Sequence, residues 1–191
     1  MNRLAIGMAA TMLLTGCAAR PAQDAQGTFF GRLQALCGKA FAGRVTTDDP
    51  ADAGFADKPL VMQVRDCSGD TIRIPFHVGD DRSRTWVISR TPGGLRLKHD
   101  HRHADGSEDS VTQYGGDTAG PGTATFQSFP VDATSIALFT ATGRTASTTN
   151  VWEVEASDTI FAYGLRRADR HFRVAFDLTR PVAAPPPPWG Q

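Results

Sequence analysis

The most concentrated chemistry in the chain lies in His99-Asp100-His101-Arg102-His103, which holds three of its five histidines. Read as an extended strand from Leu95 to His103, period-two alternation puts Leu95, Leu97, His99, His101 and His103 on one face. Lys98, Asp100 and Arg102 fall on the other. Asp105-Gly106 follows as a hairpin signal. A two-residue turn there pairs Ala104 with Ser107 and sets Glu108 opposite His103, Ser110 opposite His101, Thr112 opposite His99 and Tyr114 opposite Leu97. Asp109 then meets Arg102 across the strands as a favourable charge pair. Imidazoles two residues apart on a strand can share one ion. His99, His101 and His103, with Glu108 as ligand or as the acceptor that fixes a ring tautomer, therefore form a candidate zinc or copper site. The same face also reads as a solvated polar surface, or as the polar wall of a ligand cavity. His77 and His171 fall opposite the aromatic faces of their own strands, so they join this set only if the fold brings them near.

Nothing else in the sequence frames a reaction. There is no Gly-x-Ser-x-Gly elbow, no phosphate loop and no dinucleotide fingerprint, so no catalytic residue is assigned. Paired carboxylates cannot be recognised from spacing, because their separation is a property of the folded chain. With 20 basic and 20 acidic residues the chain offers no electrostatic footing for nucleic acid. Cys37 and Cys67 lack the C-x-x-C spacing that poises thiols for redox work, and they read as a structural disulfide.

The elements that must position these residues are short. Phe29, Phe30, Leu33 and Leu36 recur at helical spacing, which predicts a short helix leading into the domain. Strands are then expected over 39–45, 60–65, 71–78, 85–91, 95–103, 109–114, 124–129, 136–140, 150–156, 159–165 and 171–178. These runs are rich in β-branched and aromatic residues and are separated by Gly, Pro, Asp and Ser, with no room for crossover helices. The pattern is all-β, an antiparallel barrel or sandwich. Residues 115–122 (GGDTAGPG) read as a long loop or a flap. The tail, 181–191, carries four consecutive prolines that exclude helix and interior strand. It reads as a solvated end or as a polyproline segment that docks a partner through Trp189. Trp86, Trp152, Phe161, Phe172 and Phe176 are expected in the core.

The first residues carry an address. Arg3 precedes an apolar run from Leu4 to Leu14 that has signal-peptide length and is too short for a permanent span. It ends in Leu14-Thr15-Gly16-Cys17, which resembles the lipobox of bacterial lipoproteins. The resemblance implies a signal peptide over 1–16, cleavage before Cys17, and diacylglycerol and acyl (palmitate) attachment there. Ala18 stands where an Asp favours inner-membrane retention, which implies the periplasmic face of an outer membrane. Residues 17–28 are then lipid anchor and flexible stalk, 29–180 the β-rich domain and 181–191 a Pro-rich tail.

The opening helix followed by a Gly-aromatic entry, Cys37-Gly38-Lys39-Ala40-Phe41-Ala42-Gly43, resembles lipocalin-like (calycin) barrels, although the Gly-x-Trp of lipocalins is absent. Residues 74–79 (IPFHVG) and 98–103 (KHDHRH) also resemble a family of exported, uncharacterised proteobacterial proteins, a likeness that implies no activity. The expectation is a membrane-anchored, non-catalytic binding module for a small apolar ligand or a metal ion. The alternative is a structural or envelope-assembly lipoprotein that works through contacts with other envelope proteins.

Overall fold

A computed structural model describes residues 23–191. The expected signal peptide (1–16) and the expected lipid attachment at Cys17 lie outside the described residues. The elements are α1 (Gln23–Gln34), β1 (Ala40–Val45), α2 (Ala53–Ala56), β2 (Leu60–Gln63), β3 (Asp66–Cys67), β4 (Thr71–Val78), β5 (Asp81–Thr91) and β6 (Gly94–His101). They continue with β7 (Tyr114–Asp117), β8 (Phe126–Pro130), α3 (Ala133–Ala141), β9 (Val151–Ala156), β10 (Ile160–Arg167) and β11 (Arg170–Val182). One 11-stranded sheet runs β7-β6-β5-β4-β2-β1-β11-β10-β9-β8, with β3 added to β4. Every pairing is antiparallel. Apart from β3, neighbours on the sheet follow chain order, so short turns suffice, and β11 returns to pair with β1.

The two ends of this sheet curl together at β7 and β8. Asp132 N–H donates to the Gly115 carbonyl at 2.9 Å, and Gly115 N–H donates to Ser135 Oγ at 2.8 Å. A Cβ on Gly116 would stand 1.7 Å from the Pro130 carbonyl oxygen, so only glycine lets the two edges meet here. The all-β expectation is met by a nearly closed barrel rather than a sandwich.

Alternation supplies the core. Ile72, Ile74 and Phe76 of β4, Trp86 and Ile88 of β5, and Leu95 and Leu97 of β6 face inward and are buried. Across the barrel they meet Trp152 and Val154 of β9, Phe161 of β10 and Phe172, Val174 and Phe176 of β11. Burying each such side chain stabilises by about 1.5–3 kcal/mol. α1 plugs one end: Phe29, Phe30 and Leu33 are fully buried, and Gln26 Nε2 donates to Thr118 Oγ1 and the Gly120 carbonyl, both at 2.9 Å. Cys37 and Cys67 are disulfide-bonded, which ties the exit of α1 to β3.

Four local expectations are corrected. Residues 136–140 are helix, not strand: Asp132 caps α3 by accepting from Ser135 N–H at 2.7 Å, and Ser135 and Phe139 bury one helical face. Residues 23–28 belong to α1 rather than to a stalk, because Gln26 is anchored in the barrel end. Residues 109–113 form no strand; Asp109 Oδ1 accepts Val111 N–H at 2.7 Å and Gln113 takes a φ of 57°. The glycine-rich stretch expected as loop contributes Gly115 and Gly116 to β7.

The tail is anchored near its end, although most of its residues stay exposed. Val182 still pairs with Ala40, while Trp189 N–H donates to the Arg82 carbonyl at 3.1 Å and Arg82 Nη1 donates to the Pro187 carbonyl at 3.1 Å. The residues between span about 20 Å as polyproline helix, enough to cross β2 and β4 on the outside of the barrel. Pro75, His77, Thr85 and Asp100 alternate outward on that wall and are nonetheless buried. Pro188 is itself buried.

Candidate functional site

The barrel end opposite α1 is open. There β5 begins, β6 and β10 end and β11 begins, and a cavity of about 270 Å³ sinks between them. Its walls are largely aromatic: Phe76, Trp86, Tyr114, Trp152, Tyr163 and Phe172 from the strands, with Phe55 of α2 and Phe139 of α3 at the rim. Trp86 stacks on Tyr163 with centroids 4.4 Å apart and on Phe76 at 4.8 Å, a continuous slab of ring faces.

His99 is the polar hinge of this lining. The β6–β7 register sets it opposite Tyr114, whose ring it stacks on at 4.5 Å, and it is 3% exposed. Its Nδ1 lies 3.1 Å from the Tyr114 carbonyl, which can only accept, so Nδ1 carries the proton. Nε2 is then the acceptor for the Tyr163 hydroxyl at 2.7 Å. Burial pushes the His99 pKa down to about 3. His101 continues the line, its Nε2 3.2 Å from the Tyr114 hydroxyl. Burial, reinforced by the Arg84 guanidinium, also lowers its pKa. The phenols move the other way: burial raises Tyr114 to about 12 and Tyr163 well above its ordinary value. Every titratable ring in the wall is thereby held neutral at pH 7.

The cations and the amide complete the rim. Arg84 pairs with Asp81, and Arg170 pairs with Asp49 at 3.0 Å and with Asp52. The Arg144 guanidinium, placed at the mouth by the turn that ends α3, bonds only the Thr142 carbonyl among the described residues, at 3.3 Å. Asn150, 4% exposed, is one of the lining residues, and its buried Oδ1 has no hydrogen-bond partner among the described residues.

Of the residues expected to hold a metal, His99 and His101 share the cavity, but the set is not assembled. The hairpin slips by one residue: His103 N–H donates to the Ser107 carbonyl at 2.8 Å, leaving a three-residue loop of Ala104, Asp105 and Gly106. Asp105 Oδ1 accepts Ser107 N–H at 2.9 Å, and Gly106 adopts a φ of 87°, the left-handed conformation such a loop requires. The slip pairs Arg102 with Glu108, 3.0 Å apart, in place of the expected Asp109, and leaves His103 exposed. His77 is on the outer wall and His171 is exposed. Among the described residues, no three His, Cys, Asp or Glu side chains are placed to hold a metal ion.

Arg84, Arg144, Asn150 and Tyr163 escaped the sequence reading. Tyr163 alternates with Phe161 on the inward face of β10, and that signal could have placed it. Arg144 and Asn150 sit in a loop whose path no periodicity reveals. Compared with known proteins, the chain matches no family model, no curated protein and no solved structure.

Proposed function

We propose that the chain is an exported, lipid-anchored envelope protein whose barrel binds a small, largely aromatic molecule and performs no chemistry on it. The observation that carries this reading is the open, aromatic-walled cavity. The cavity lies just under the usual range of about 300–1,000 Å³, which favours a compact ligand. The neutral state of His99, His101, Tyr114 and Tyr163 favours binding over proton transfer. The likeness to calycin barrels points the same way.

Export is supported by the lipobox-like Leu14-Thr15-Gly16-Cys17 and by a disulfide suited to an oxidising compartment. With an acylated Cys17 a few residues before α1, the mouth at the far end of the barrel faces solution. A tail-mediated assembly role is less favoured, because residues 187–190 already occupy their own barrel.

The test is fluorescence titration with N-phenyl-1-naphthylamine, a neutral aromatic amine, using Trp86 and Trp152 as energy donors. Saturable single-site binding is expected, with a Kd on the order of 1–10 μM. Ser147→Trp, which adds bulk at the mouth, should weaken it about tenfold. Non-saturating, partition-like uptake would sink the binding reading. Incorporation of labelled palmitate, lost in Cys17→Ser, tests the anchor separately.

A further inference from the structure

The polar groups around the cavity specify more than an apolar ligand. No aspartate or glutamate lines it, whereas three guanidiniums do, those of Arg84, Arg144 and Arg170. Two of these are already matched by carboxylates set behind them: Arg84 by Asp81, and Arg170 by Asp49 and Asp52. Arg144 is not. Its single hydrogen bond goes to a neutral carbonyl, and among the described residues it pairs with no carboxylate. Its backbone is nevertheless fixed, since Arg144 N–H donates to the Phe139 carbonyl at 2.7 Å. The end of α3 therefore places the Arg144 backbone beside the cavity that its side chain lines. The rest of the lining is mostly ring faces, with the single amide residue Asn150 among them.

We propose that the barrel's ligand is a small planar organic acid. This rests on the reading of the barrel as a small-ligand binder. The planar body lies against the Trp86, Tyr163 and Trp152 side of the cavity, and the carboxylate or sulfonate emerges at Arg144. A guanidinium can clamp such an anion with two parallel N–H donors, which an ammonium cannot reproduce.

Two probes separate the parts of the proposal. N-Phenyl-1-naphthylamine and 8-anilino-1-naphthalenesulfonate share the same rings and the same N–H, and differ by one sulfonate. At about 20 mM salt the sulfonate is expected to bind about tenfold more tightly, the scale of one charge-assisted contact. Arg144→Gln should reduce that preference to less than about threefold while leaving the neutral probe's affinity unchanged. Arg144→Lys should restore part of it. Because Arg144 is exposed, both variants should keep the wild-type near-ultraviolet circular dichroism. Raising salt to about 0.5 M should shrink the preference in the wild type and not in Arg144→Gln.

Equal affinity of the two probes in the wild type would overturn the organic-acid assignment and leave the binding barrel standing. A preference that survives intact in Arg144→Gln would overturn the role given to Arg144. If neither probe binds, both this inference and the reading beneath it fall.

Discussion

The Tyr163 hydroxyl donates to His99 Nε2 at 2.7 Å, inside a wall where both side chains are almost wholly buried. That bond and the one from Nδ1–H to the Tyr114 carbonyl use both ring nitrogens, so His99 has a single tautomer and no freedom to act elsewhere. Tyr163→Phe removes the donor and leaves Nε2 buried and bare. The expected cost is about 1–3 kcal/mol, measured as a fall in the urea midpoint with unchanged m. A change of under about 0.5 kcal/mol would show that the bond does not hold the wall.

The depressed His99 pKa makes stability depend on pH with a definite sign. In the native barrel His99 stays neutral down to about 3, whereas in the unfolded chain it takes up its proton near 6.5. Between these values the unfolded state binds more protons, so stability is full above pH 6.5 and falls as the pH drops. The slope is about 1.4 kcal/mol per pH unit for one such group. His77 and His101 are lowered too and act in the same direction. Urea unfolding at intervals from pH 7 to 4.5 should show this loss before the bulk of the carboxylates titrate. His99→Gln should show a slope shallower by about one proton. An unchanged slope would mean that His99 is not the buried neutral base described.

The Cys37–Cys67 bond closes a separation of 30 residues, which constrains the unfolded chain most simply through loop entropy. Its removal in a Cys37→Ala/Cys67→Ala variant should cost about 3–4 kcal/mol. Thermal unfolding with and without a reductant checks it. A wild-type midpoint indifferent to reduction would contradict the assignment of a stabilising bridge.

Deleting residues 183–191 strips both hydrogen bonds to Arg82 and tests whether the tail is what covers the outer wall. The barrel should remain folded but lose about 1–3 kcal/mol. The His77 pKa, held down chiefly by burial, should rise toward its ordinary value in an NMR titration. If neither stability nor His77 responds, the tail is not the cover of that wall.

The barrel was legible because alternation is a direct image of burial: Ile72, Ile74 and Phe76, or Phe172, Val174 and Phe176, face one core whatever the loops do. The leading helix was legible from its own period, and the disulfide from the cysteine count and the absence of C-x-x-C spacing. Register across the 102–108 hairpin was not, since Asp105-Gly106 suits a two-residue and a three-residue loop alike. A one-residue slip pairs Arg102 with Glu108 and moves Glu108 away from its expected place opposite His103. Ile136 to Thr140 looked like strand because its apolar residues are dense, and only the capping contact of Asp132 with Ser135 turns the segment into helix. Arg144 and Asn150 reach the cavity through loop geometry, which leaves no periodic trace.

The most direct test of the central claim uses the three tryptophans as reporters. Trp86 and Trp152 line the cavity, whereas Trp189 lies with the tail on the outside of the barrel. In ¹⁵N-¹H spectra of the protein titrated with N-phenyl-1-naphthylamine, the indole resonances of Trp86 and Trp152 should shift together to saturation while that of Trp189 stays still. A saturating shift at Trp189 alone, or no saturable shift at the two cavity indoles, would contradict a ligand-binding barrel.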